Sequence, residues 1–251
     1  MRLPGCCRRI FYLLIGSCLP LIAGDLTLAV AANARYAVNN IVEKFEKETS
    51  IKCRLVVASS GKLSAQIRNG APFHLFLSAD TSYPAALIKD NFAASPLLIY
   101  AYGTLVIWSE TAADSSSLDS ILQAPKSRIA IANPGTAPYG AAALETWKHL
   151  YPEKTDHHFI YGSSISQVNQ YIQLKAVDIG FTSRSTLFHL GEAVQGFWKE
   201  VSDKLHFPLA QGAIILNAAS EVERRKAERF LQFLTEPSAT QILHNYGYRI
   251  E

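Results

Sequence analysis

Four short stretches of this 251-residue chain are built from small, hydroxyl and amide residues just where the pattern turns into a helix. They are Ala31-Ala32-Asn33-Ala34, Ala58-Ser59-Ser60-Gly61-Lys62, Asn133-Pro134-Gly135-Thr136-Ala137-Pro138-Tyr139-Gly140 and Tyr161-Gly162-Ser163-Ser164-Ile165-Ser166. A helix N-terminus carries unpaired backbone N–H groups and about half a positive charge. Several such ends aimed at one point make an anion site without any formal cation. Ser60, Tyr139 and Asn33 can add neutral hydrogen bonds. A site of donors is best matched by a fully ionised dianion that offers only acceptors. Taken singly, each turn reads as ordinary helix capping, for which Ser, Asn and Gly are the expected residues. Four in one chain strengthen the anion reading without settling it.

Other chemistries fit less well. Ser59-Ser60-Gly61-Lys62 looks like the tail of a phosphate-binding loop, but the upstream glycine spacing is missing and Leu63 follows the lysine. His157 and His158 are adjacent, so their side chains point apart and do not suit one metal ion. Asp80 follows a strand, where a turn or hinge role is as good a reading as a catalytic acid. No GxSxG and no Cys/His arrangement marks a nucleophile, so the chain does not read as an enzyme.

The elements that must position the four turns alternate. Apolar runs predict strands at 26–31, 54–58, 74–78, 105–108, 129–132, 178–182 and 213–216. Helical spacing predicts helices at 33–49, 62–69, 140–150, 166–174, 221–234 and 238–246. Such alternation implies an α/β protein with parallel sheets flanked by helices. Ligands of such sheets sit outside the carboxyl ends of the strands, where the first two turns clearly lie. The pattern suggests two α/β lobes joined by two crossings. Residues 25–102 and 217–251 form lobe one, and residues 103–216 form lobe two. The crossings fall near Tyr102-Gly103 and between Gln211 and Asn217.

Composition narrows the class. The chain is 49% hydrophobic and 18% charged, enough apolar material for a sizeable core. Residues 1–24 read as an export signal: Arg2, Arg8 and Arg9 precede the apolar run 10–22, and Ala23-Gly24 offers a cleavage site before Asp25. Ile15-Gly16-Ser17-Cys18 is a competing lipoprotein site, with Cys18 as the lipidated residue; cleavage after Gly24 is favoured. Residues 1–24 hold three of the 24 basic residues and none of the 21 acidic ones, so the remainder is balanced at 21 against 21. A nucleic-acid binder shows a basic excess, so no nucleic-acid partner is expected. Cys53 is the one cysteine beyond the signal, and it reads as a small core residue.

From about Leu26 to Tyr248 the chain resembles the periplasmic molybdate-binding proteins of ABC importers. The matching pieces stand in the family's order: VAANARYAV, SSGKLSAQIRNGAPFHLFLSAD, YAYGTLVIWS, ANPGTAPYGAAALE, GSSISQVNQYIQ, DIGFTSRS, QGAIIL and FLQFLTEPSATQILHNYGY. The resemblance implies a class II periplasmic binding protein fold, with molybdate or tungstate held in the cleft between two lobes. Carried over by position, the ligand-holding residues are Asn33 and Ser60 from lobe one, and Tyr139 and Ile165 from lobe two. Ile165 serves through its backbone N–H. Ala32 stands where some relatives carry Thr, and Ser183 where some place a ligand-contacting Tyr, whose work falls to Tyr139. The resemblance further implies a periplasmic monomer that hands its ligand to the membrane permease of an ABC importer. It implies no cofactor, and molybdenum met only as its oxyanion, through the same four residues. Sulfate or another tetrahedral oxyanion stays open as the ligand, and a secreted α/β hydrolase as a more distant reading.

Overall fold

The computed structural model describes residues 25–124, 126–153 and 158–250. The expected signal, with Cys18, and His157 lie outside them.

The chain starts with β1 (Leu26–Ala31), whose six residues are all buried. A short 3-10 turn (Ala32–Ala34) leads into α1 (Arg35–Thr49), which buries Ala37, Val38, Ile41, Val42 and Phe45 at helical spacing. Then come β2 (Cys53–Ala58), α2 (Ser60–Arg68), β3 (Leu75–Ser78), α3 (Ser82–Lys89) and β4 (Leu98–Tyr102). The chain crosses to a second unit through Gly103 and Thr104. There it forms β5 (Leu105–Ser109), α4 (Ser115–Gln123), β6 (Ile129–Ala132), α5 (Pro138–Leu150), β7 (Ile160–Gly162), α6 (Ile165–Gln173), β8 (Ile179–Ser183), α7 (Arg184–Leu190) and β9 (Phe197–Glu200). It returns as β10 (Ala210–Ile215), followed by α8 (Glu221–Leu234) and α9 (Pro237–Asn245).

Two five-stranded sheets result, in the orders β2-β1-β3-β10-β4 and β7-β6-β8-β5-β9. In the first sheet β1 pairs in parallel with β2 and β3, and β10 runs antiparallel to β3 and β4. In the second β6 pairs in parallel with β7 and β8, and β5 runs antiparallel to β8 and β9. Each sheet is therefore mixed, where alternation alone predicted parallel ones. The reason is the pair of crossings: β5 and β10 each arrive from the other lobe, free of the right-handed helical crossover that forces parallel pairing.

The return crossing also differs from its expected place. Sequence put it between Gln211 and Asn217, with residues up to 216 in lobe two. Yet Gly212, Ala213, Ile214 and Ile215 pair with residues of β3, so the chain has already re-entered lobe one by Ala210. The run Ala210–Ile215 is buried throughout, and a continuous apolar run names a central strand without naming its sheet.

Both faces of the lobe-one sheet are covered. On one face Phe45 of α1 meets Phe230 and Phe233 of α8 edge-on, with ring centroids 5.0 and 5.3 Å apart. On the other, Leu63, Phe76 and Leu87 pack beneath α2 and α3. Lobe two closes around Trp108, Ile131, Val168 and Phe181. These cores hold rigid the strand ends from which the four turns emerge.

Candidate anion-binding cleft

The turns that follow β1, β2, β6 and β7 face one another across a narrow cleft between the lobes. Ala31, Ala32, Asn33, Ser59, Ser60 and Ala79 line it from lobe one; Ala137, Pro138, Tyr139 and Ile165 line it from lobe two. All four residues singled out from the sequence, Asn33, Ser60, Tyr139 and Ile165, thus border one space, and all are buried. Three α-helices and the 3-10 turn begin at this wall. Their first N–H groups have no partner within the helix, and the helix dipoles add positive potential. No lining residue carries a formal charge. Arg35 and Lys62, the cations nearest in sequence, are exposed.

The side chains divide into those already engaged and those not. Ser60, fully buried, accepts a hydrogen bond from the Ala79 N–H at 3.0 Å. That bond uses an oxygen lone pair and leaves the hydroxyl proton free to donate. The buried Tyr139 hydroxyl meets no hydrogen-bond partner. Burial pushes its pKa well above the ordinary tyrosine range, with Tyr248 and Tyr100 adding to the shift and the neighbouring Asn33 amide opposing it. The phenol is therefore a neutral donor at any physiological pH. Gly103 makes its place: a Cβ there would lie 2.0 Å from the Tyr139 oxygen.

Asn33 behaves differently from its sequence reading. Its side-chain amide donates to Gln211 Oε1 at 2.7 Å and to the Tyr248 hydroxyl at 3.0 Å. The orientation is fixed by Gln211, whose own Nε2 donates to the carbonyls of Leu209 and Ala79 and so leaves only Oε1 to accept. Its carbonyl is held too, by the hydroxyls of Ser185 at 2.8 Å and Tyr248 at 3.0 Å. The side-chain donors of Asn33 are therefore committed to a buried network that ties the cleft to β10 and to lobe two.

Ser59 is the residue that sequence reasoning passed over. It occupies the N-cap position of α2 but makes no capping bond, and its buried hydroxyl has no partner. The serine doublet was the available signal, because two hydroxyls exceed what one cap needs. Ser183, set aside at the sequence level, bonds to the hydroxyls of Thr186 and Ser185 at 3.0 Å each and does not line the cleft. Among the described residues, no three His, Cys, Asp or Glu side chains gather to hold a metal cation.

Known proteins bear on this geometry. The chain is 34% identical over 241 residues to the molybdate-binding protein ModA of Rhodobacter capsulatus, covering 95% of this chain and 94% of that one. It is 33% identical over 232 residues to ModA of Azotobacter vinelandii, covering 91% of each. The solved periplasmic molybdate-binding protein of Azotobacter vinelandii superposes with a TM-score of 0.83 at 27% identity, over 90% of this chain and 100% of that one. The two lobes accordingly have the class II periplasmic binding protein fold. The family model for bacterial extracellular solute-binding proteins matches residues 26–249. With that match spanning both lobes and relatives this similar along nearly their whole lengths, the chain belongs to the bacterial extracellular solute-binding protein family.

Proposed function

We propose that the protein captures a tetrahedral oxyanion dianion, molybdate or tungstate, and delivers it to the membrane permease of an ABC importer. One observation carries the reading: helix starts from both lobes converge on a buried, uncharged cleft into which two unpartnered hydroxyls, Ser59 and Tyr139, are folded. A buried donor left unmade costs about 1–3 kcal/mol, so a cleft that keeps two is built for an acceptor. Dianions of this kind stay ionised at neutral pH and accept at all four oxygens. The N–H groups and hydroxyls supply donors, and no side chain in the wall needs to change protonation state. The names of the ModA relatives support molybdate among oxyanions.

The role proposed is binding rather than catalysis, by a monomer and without a cofactor. The proposed location is the periplasm, reached through the signal at residues 1–24. Mass spectrometry of the exported protein should find Asp25 at its N-terminus, whereas a diacylated Cys18 in the membrane fraction would assign the lipoprotein route. The ligand is tested by calorimetric titration with molybdate, tungstate, sulfate and phosphate. Molybdate and tungstate should bind, and sulfate should bind far more weakly. Equal binding of sulfate would reassign the ligand, and no binding of any oxyanion would overturn the proposal.

A further inference from the structure

The lobes meet at the cleft mouth through backbone atoms. The Gly61 N–H, in the first turn of α2, donates to the Thr136 carbonyl of lobe two at 2.8 Å. Beside it the Tyr83 hydroxyl of α3 donates to the Gly135 carbonyl at 3.1 Å. Both acceptors belong to the loop between β6 and α5. That loop is folded independently of lobe one: the N–H groups of Thr136 and Ala137 return to the Asn133 carbonyl, and the Gly135 N–H donates to the Asn133 side chain at 2.9 Å. The Asn133 N–H is in turn anchored on the Gly162 carbonyl of β7 at 2.8 Å. The two carbonyls are thus held outward as a ready-made docking surface.

The approach is closer than any side chain at position 61 permits. A Cβ on Gly61 would lie 2.8 Å from the Thr136 Cα, 3.0 Å from its carbonyl oxygen and 2.7 Å from the Tyr83 hydroxyl. Two of these three atoms are backbone and cannot swing aside. Gly61 has no positive φ, so its own helix does not require glycine; alanine is the better helix former by about 1 kcal/mol. The demand for glycine comes from the Thr136 backbone of the other lobe and from the Tyr83 hydroxyl that reaches across beside it.

We propose that Gly61 and Tyr83 form a latch that sets how firmly the cleft stays closed, and through closure sets oxyanion affinity, without either residue's side chain holding the anion. One N–H at the start of α2 is directed to the opposite lobe instead of to the ligand. The adjoining Ser59, Ser60 and Tyr139, which flank the latch in sequence, are brought to the anion only when the latch closes. This inference rests on the oxyanion reading for its affinity arm and stands apart from it in its closure arm.

The test compares wild type with Gly61→Ala and Tyr83→Phe. Spin labels on Asn69→Cys in lobe one and Lys148→Cys in lobe two report the lobe separation by pulsed electron resonance. Both sites are exposed, and the native Cys53, with its thiol pushed by burial up to about 12, labels poorly at neutral pH. Gly61→Ala should shift the labels toward the longer separation and weaken molybdate at least about tenfold, the worth of about one hydrogen bond. Tyr83→Phe should act in the same direction and less. Thermal stability without ligand should be unchanged or higher for Gly61→Ala, since its helix gains; a merely structural glycine would lower it. Unchanged separation and unchanged affinity in Gly61→Ala would overturn the latch. If wild type binds no oxyanion while the separations still shift, the latch stands and the ligand assignment fails.

Discussion

A buried hydroxyl without a partner is the sharpest residue-scale feature of the cleft, and it sets an order among substitutions. Hydrogen bonds to charged groups are worth about 1.5–3 kcal/mol. Ser60→Ala and Tyr139→Phe should therefore weaken molybdate by about ten- to hundredfold, and Ser59→Ala, whose hydroxyl is equally unpartnered, should join them. Lys62→Ala and Arg35→Ala should change affinity only a few-fold, because both side chains are exposed and act through screened water. Titration of the five variants at two salt concentrations checks this. A lost site in Lys62→Ala beside an intact one in Ser60→Ala would identify a cationic clamp instead. Residue types and turn positions were legible in the chain for Ser60, Tyr139 and Ile165. The engagement of Asn33 was not, because its partners Gln211 and Tyr248 lie 178 and 215 positions away. An amide in a turn shows its donors and not where they go.

Elements with strong periodicity were equally legible. The helix over 221–234 is delimited by Ser220 and Glu223, which form a reciprocal capping box. Less legible were β4, β7, β9, α3, α4 and α7, short elements whose form depends on what they pack against. The end of α8 that bears the capping box also meets a histidine that joins three elements of lobe one. His74, buried just before β3, accepts the Thr27 N–H of β1 on Nδ1 at 2.9 Å and faces Glu223 from Nε2 at 3.4 Å. Burial holds its pKa below the usual 6.5; Glu223 pulls the other way, and Lys226 and Arg54 reinforce burial. Protonating Nδ1 would also break the bond to Thr27. A folded-state pKa below the unfolded one means that the unfolded chain binds the proton more tightly. The stabilisation is then complete above about pH 6.5 and is lost as pH falls below it. Melting temperature should drop between pH 7.5 and 5.5, by about 2–4 °C for each kcal/mol lost. His74→Asn, whose amide oxygen stands where Nδ1 does and can still accept from Thr27, should flatten that slope. Parallel slopes in the two proteins would assign the loss to other groups.

At the scale of the whole molecule the two lobes are in contact on more than one side of the cleft. The Gly61–Thr136 and Tyr83–Gly135 bonds close one side. Elsewhere the Ser185 hydroxyl reaches the Asn33 carbonyl, and the Tyr36 and His189 rings stack 3.5 Å apart at an interplanar angle of 11°. Donors split between lobes converge only in this closed arrangement: Ser60 belongs to one lobe, Tyr139 and Ile165 to the other. A ligand that touches both therefore binds the closed state better than the open one, and its differential affinity is what moves the population. Moving a two-state equilibrium from 1:99 to 99:1 takes about 5.5 kcal/mol of such preference. A few charge-assisted hydrogen bonds at about 1.5–3 kcal/mol each can supply it. The crossings are confined to Gly103-Thr104 and to residues 201–209, short enough to act as hinges between rigid sheets. Small-angle scattering should accordingly give a smaller radius of gyration with saturating molybdate than without it, and sulfate at the same concentration should leave the profile near the unliganded one. If molybdate binds by calorimetry while the scattering profile stays the same, the anion is held without ligand-driven closure. The energy of binding must then come from one lobe or from a cleft already shut.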